Sequence, residues 1–228
     1  MTGLLHILFD PEAASRRFLV SRGWIAPFTV LAIGHLALLL ISQASTGNAA
    51  IAHLPPSATP AEREAVRSML TADLAPRVLM LPVRLLTGWF AFSMLLSWLV
   101  ASARPERSVS VQRLFVLEVH AEVVLLLGAF ASALIPALGV RSVDLARMAP
   151  VWSLAHYWPG VSMPVFFLLR AANIFTLWYA VILTAGIHVL SNLPYRTSVS
   201  IAAGACTIGA LFDAGILSLL IEQLHLGV

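Results

Sequence analysis

Lysine is missing from this chain, cysteine occurs once, and charge of either sign is scarce. Each shortage excludes something. Only 11% of the 228 residues are charged while 59% are hydrophobic, whereas a soluble domain carries about 25% charged residues. A chain so composed cannot cover a water-facing surface and reads as a membrane protein. The fourteen basic residues are all arginine, placed singly or in pairs, so no basic stripe points to a nucleic-acid partner. Cys206 alone permits neither an intrachain disulfide nor a cysteine-cluster metal site, and it reads as a small packing residue. The sequence has no Gly-rich phosphate loop, no Gly-x-Ser-x-Gly elbow and no His-Glu-x-x-His pair. No cofactor, metal or catalytic residue is therefore expected. Asp10 and Glu12 precede any long apolar run, unlike the basic start of a cleavable signal peptide, so insertion is expected to rely on the first span.

What the chain has in abundance is long apolar runs. About 20 helical residues cross a hydrocarbon core of ~30 Å. Five stretches qualify: Trp24 to Ile41, Leu81 to Ala101, Leu114 to Leu138, Pro164 to Leu190 and Val199 to Ile221. The expected fold is all-α, an integral membrane bundle of five transmembrane helices with short amphipathic surface helices. Residues 24–221 form the membrane domain, and residues 1–23 an amphipathic cytoplasmic segment lying on the membrane surface. In that segment Asp10 and Pro11 open a short helix. In the first loop "TPAE", Thr59 to Glu62, is a capping box that starts a surface helix over 59–74. Arg16, Arg17, Arg22, Arg104, Arg107, Arg113 and Arg196 fall on the N-terminal side. Arg63, Arg67, Arg77, Arg84, Arg141 and Arg147 fall opposite. That balance, with three arginines in the short loop "ASARPERSVSVQR", favours a cytoplasmic N-terminus and an outer C-terminus.

Polar residues in or beside the spans are the candidate sites: Arg84, Glu118, Glu122, Arg170, Asn173, His188 and Asp213. At ~1.5 Å of rise per residue, Arg170 and Asp213 reach nearly one level, roughly 10 Å below the outer surface. A charge placed centrally in a span costs at least ~2.5–3.5 kcal/mol. We therefore expect Arg170 to pair with Asp213, with Asn173 one turn deeper and hydrogen-bonded to the pair. In "VLEVHAEVV", Glu118 and Glu122 share a helix face and His120 points away. Glu118, ~6 Å deep, reads as a group at the wet end, within reach of Arg113 or His188. Glu122, ~12 Å deep, needs a partner, a proton or water. Glu-x-x-x-Glu is not the Glu-x-x-His spacing of a di-iron bundle. His35, in the middle of the first span, reads as a packed neutral imidazole. Ala172, Thr176, Ala180 and Thr184 recur at every fourth position of the fourth span, and Ala205 and Gly209 make a small pair on the fifth. Both stripes suit close helix packing.

Two stretches resemble a known family. "NIFTLWYAVILTAGIHVLSNLPYRTSVSIAA", residues 173 to 203, is similar to the signature of the Yip1 domain family. That signature has an acid or amide, a Phe, a small residue, an aliphatic and a Trp, with a Gly before a short basic turn. Here these are Asn173, Phe175, Thr176, Leu177, Trp178 and Gly186. The opening "LLHILFDPEAASRRFLVSRGWIAP" resembles bacterial Yip1-like proteins, with Trp24 and Pro27 leading into the first span. The resemblance implies five spans and a cytoplasmic N-terminus. Eukaryotic members act in vesicle traffic and contact prenylated Rab GTPases; some bacterial members are encoded beside ABC-transporter components. It implies a non-enzymatic protein of a bacterial inner membrane that assembles or organises other membrane components. Its surroundings would be the lipid bilayer, and its partners ABC-transporter components or copies of itself. A small transporter, channel or lipid-handling protein that uses the intramembrane charges is the alternative.

Overall fold

A computed structural model describes residues 2–18, 23–52, 54–55, 57–72, 74–106, 109–137, 152–158 and 160–225. Leu138, expected to end the third stretch, lies outside them, as do Arg22, Arg107, Arg141 and Arg147. Among the described residues the architecture is helical: α1 Thr2–Phe9, α2 Pro11–Phe18, α3 Ile25–Ala52, α4 Pro60–Ala72, α5 Leu74–Ala103, α6 Val111–Ala137, α7 Met163–Ala171, α8 Ile174–Ser191 and α9 Tyr195–His225. A 3-10 turn, Leu154–Tyr157, precedes α7. Five helices are long and apolar enough to cross a membrane: α3, α5, α6, α8 and α9. Their outward faces expose large apolar side chains, among them Ile33, Phe90, Trp98, Leu177 and Phe212. Such faces are stable against lipid tails and costly against water. The chain is an integral membrane protein.

Four of the spans close a ring in which α5 packs on α6, α6 on α8, α8 on α9, and α9 back on α5. α3 lies outside the ring against α5 and α6. The end that carries the α5–α6 loop and the α8–α9 turn is the base. There the two turns of α6 that follow its first are buried on every side, from Leu114 to Ala121 without a break. That is the signature of a helix surrounded by others. Trp24 stands edge-on to Phe28 and Phe115, and Phe28 edge-on to Trp89, with ring centroids 5.5–5.8 Å apart. Each such pair adds about 0.5–1.5 kcal/mol beyond the area it buries. The N-terminal segment, expected on the membrane surface, is seated on this base: α2 packs on α8 and α6, and α1 on α6, burying Ile7, Leu8 and Ala14. Asp10 caps α2 by accepting the Ala13 N–H at 2.9 Å.

The apolar stretch Pro164 to Leu190, expected as one span, is two helices, and this is a correction. Asn173 interrupts it with an extended backbone, φ −138° and ψ 167°. Its Oδ1 accepts the N–H groups of Phe175 and Thr176 at 2.9 and 3.0 Å, which would otherwise be orphans at the start of α8. Its Nδ2 donates to the carbonyls of Arg170 and Ala171 at 3.1 and 3.3 Å, which α7 leaves unpaired. The Leu154 N–H donates to Ala172 O at 3.0 Å, and Ser153 pairs with Asn173 in an isolated bridge. One amide side chain thus satisfies both lips of the break. Ala172 falls outside α8, so the small-residue stripe begins at Thr176.

On the side away from the base, α3 and α5 run past what the membrane requires. Their 28 and 30 residues span about 42 and 45 Å, against a core of ~30 Å. α4 joins them there and packs on both. It is held at its start by a reciprocal cap: Thr59 N–H donates to Glu62 Oε2 at 2.7 Å, and the Glu62 N–H donates to Thr59 Oγ1 at 3.3 Å. Those hydrogen bonds favour the ionised Glu62 and hold its carboxyl below the usual glutamate range.

Candidate functional site

Two buried contacts organise the polar residues of the spans. Tyr179, on α8, directs its hydroxyl between both carboxyl oxygens of Glu118 on α6, at 2.7 and 2.6 Å. Glu118 is 3% exposed and Tyr179 5%, so the pair is buried apart from its edge on the cavity inside the ring. One turn further along α6, Glu122 Oε1 lies 3.5 Å from Nε2 of His35 on α3. His35 Nδ1 lies 3.0 Å from Leu31 O, an atom that only accepts, so Nδ1 carries a hydrogen. Its ring stands edge-on to Trp89 at 6.4 Å. Arg84, on α5, is within electrostatic range of both His35 and Asp213 of α9. Each of the five spans therefore contributes a titratable side chain to one polar chain: Tyr179, Glu118, Glu122, His35, Arg84 and Asp213.

Part of this chain faces a cavity. Inside the ring lies a space of about 590 Å³ whose wall includes Glu118, Glu122, Thr176, Tyr179, Cys206 and Asp213. The remaining lining is apolar, with Phe92, Leu125 and Phe212 among it. The volume is in the range of small-molecule sites. Among the described residues no group of three or more His, Cys, Asp or Glu side chains is placed to hold a metal ion.

The expected partners are rearranged. Arg170 does not pair with Asp213. It ends α7 with an exposed side chain, because the break at Asn173 takes it out of the membrane-crossing helix. Asp213 faces Arg84. Asn173 spends both ends of its amide on the helix break rather than on a charge pair. Glu118 is not at a wet end but buried with Tyr179. Neither His188 nor Arg113 is its partner. His188 Nδ1 donates to Leu193 O at 2.6 Å, and its ring stands edge-on to Tyr195. His35 and Tyr179 were not among the candidates. For His35 the signal was present, since a histidine in mid-span sits level with Glu122. Tyr179 carried a weaker one, as a tyrosine far from the interfacial belts where tyrosines gather.

The family-motif residues serve the seam between α8 and α6. Phe175 lies over Gly128 of α6, where any Cβ would fall 2.7 Å from the ring. Trp152 stands edge-on to the same ring at 5.7 Å. Further along, Gly186 lets α8 approach the fully buried Leu117 so closely that a methyl group would collide with it. Trp178 packs against the core from its edge. Trp24 holds the start of α3 to that of α6 through Phe115, and Pro27 occupies the first turn of α3, where a missing N–H costs nothing. Asn173 explains why the motif opens on an acid or an amide, since either can accept the N–H groups of a helix start.

No curated protein and no solved structure matches this chain. A family model, the Yip1 domain, matches residues 5–216. That span takes in the base, the ring and the α8 motif, and with it the chain belongs to the Yip1 domain family.

Proposed function

We propose that this protein is a non-enzymatic organiser of other membrane components, set in a bacterial inner membrane with a cytoplasmic N-terminus and an outer C-terminus. Its partners on this reading are ABC-transporter components or further copies of itself. The observation that carries it is where the polar residues of the spans are spent. Asn173 stitches a helix break, Glu118 is closed onto Tyr179, and Glu122 onto His35. Contacts of this kind fix the register of α3, α6, α7 and α8 relative to one another. On the side away from the base, the structured surface outside the spans includes the capped α4 with the ends of α3 and α5, which a partner can reach. The test is purification in mild detergent from the native host, with mass spectrometry of what comes along. A stoichiometric membrane partner, lost when Glu62 and Arg67 on α4 are replaced, supports the organiser reading. A clean preparation carrying only lipid counts against it.

One observation favours a second reading, a small transporter or lipid-handling protein: the 590 Å³ cavity with three carboxyl side chains in its wall. On that reading Asp213→Asn abolishes activity while expression and folding persist. An organiser would keep its partner through the same change.

A further inference from the structure

His35 and Glu122 meet in a way that demands a proton. The imidazole has committed Nδ1–H to Leu31 O, so Nε2 alone faces the carboxyl oxygen at 3.5 Å. A neutral ring with its hydrogen on Nδ1 presents a lone pair there, and an ionised carboxylate presents another. Two acceptors facing each other repel, and these side chains are only 21% and 13% exposed, so little water is at hand to separate them. The contact is attractive when one proton lies between the two groups, either as imidazolium against carboxylate or as imidazole against carboxylic acid.

The position of the pair gives this proton a structural consequence. α3 is the span outside the ring, seated on the seam between α5 and α6. Its seat is apolar, Leu31 packing with Trp89, Val119 and Leu126. Gly34 brings α3 close to Leu126, where a Cβ would fall 2.5 Å away. His35–Glu122 is a polar tie across that seat. Glu122 also lines the cavity, which gives the proton a way in and out. The charged and titratable groups around it are Glu118 on its own helix, Arg84 on α5, Tyr179 on α8, and Cys206 and Asp213 on α9.

We propose that His35 and Glu122 form a proton-dependent latch that holds α3 on the four-helix ring, and that loss of the shared proton loosens α3 from the α5–α6 seam. The inference rests on the contact geometry and is independent of the organiser reading.

The test uses the full chain in lipid nanodiscs with Cys206→Ala, leaving Leu31→Cys as the one thiol. Leu31 is fully buried in the seat, so labelling by a membrane-permeant maleimide reports how often α3 lifts. The same chain carrying Glu122→Gln is measured beside it, because the glutamine amide donates to Nε2 without any shared proton. The ratio of the two labelling rates at each pH cancels the ionisation of the thiol itself. The latch predicts a ratio near one in acid, rising by up to about tenfold per pH unit once the proton is lost, the slope of a single-proton equilibrium. A ratio that stays flat between about pH 5 and pH 10, the span over which such groups titrate, overturns it. So does a Glu122→Gln chain that labels faster than its parent throughout. Should Leu31→Cys not fold, Leu126→Cys on the facing helix reads the same seam, with the same two outcomes.

Discussion

Replacing Tyr179 by Phe removes one oxygen and leaves the ring in place, which makes it a clean probe of the buried pair. The lost hydroxyl is the hydrogen-bond donor to Glu118, reaching both of its oxygens at 2.6–2.7 Å. Leaving a buried acceptor unsatisfied costs about 1–3 kcal/mol. Inside membranes the measured range is lower, about 0.6 on average and about 1.7 at most, because the unfolded chain finds other partners in lipid. The adjoining cavity can also lend water to Glu118, so we expect Tyr179→Phe to destabilise by about 1–2 kcal/mol. Glu118→Leu should cost a similar amount, since it strands the phenol. The double variant removes both partners and should cost less than the sum, by about 1 kcal/mol of coupling. Glu118→Gln, whose amide can both accept from and donate to the phenol, should stay near the parent. The assay is reversible unfolding in mixed micelles with increasing SDS, read by circular dichroism. Single changes that add within about 0.5 kcal/mol would show that the contact carries no energy of its own.

Gly186→Ala should destabilise by about 1–3 kcal/mol through overpacking against Leu117, while Gly204→Ala, with open space at its Cβ, should be neutral or slightly stabilising in the same unfolding assay. Asn173→Ala should cost about 1–2 kcal/mol for the lost cap of α8; Asn173→Asp keeps the acceptor but forfeits the two bonds to α7, and should fall between. Glu62, lowered by its cap bonds, should stabilise α4 above the ordinary glutamate pKa and lose that contribution as pH falls through its lower folded value. Hydrogen exchange of the α4 amides, compared with Glu62→Gln at each pH, checks this: the glutamine chain should show no such loss.

The spans were legible because hydropathy is local. Each of the five helices lies on a stretch whose apolar length alone marks it, and the cap at Thr59–Glu62 needs four adjacent residues. The break at Asn173 was not, because α7 and the first turns of α8 are both apolar and a span crossing them reads as continuous. The N-cap preference of Asn was visible in the letter. What hid its role was that "MPVFFLLRA" had no reason, taken alone, to stop. The aromatic and glycine letters of the motif could be recognised as a family pattern, but their work depends on rotation about helix axes. Nothing in the neighbourhood of Gly186 says that Leu117, far away in the chain, is what it makes room for.

The misplaced charge pair has an instructive cause. Matching opposite charges by depth is sound, since a charge in lipid seeks a partner at its own level. The outer ends of the spans are a poor origin for depth, because α5 begins seven residues before the expected Leu81 and α7 ends three residues before Ile174. At the base, short connections join α5 to α6 and α8 to α9. Counted from there, Arg84 is nineteen residues from Ala103 and Asp213 eighteen from Tyr195, both about 27–29 Å up. His35 and Glu122 are ten and eleven residues from Ile25 and Val111, about 15–17 Å up. Both pairs stand at equal height above the base; Tyr179, twelve residues from Ser191, meets Glu118, seven residues from Val111, across a step of about 7 Å, and Arg170 has no place on that scale because its helix does not reach it. In a bundle with one tight end and one ragged end, the tight end is therefore the origin from which buried partners should be sought.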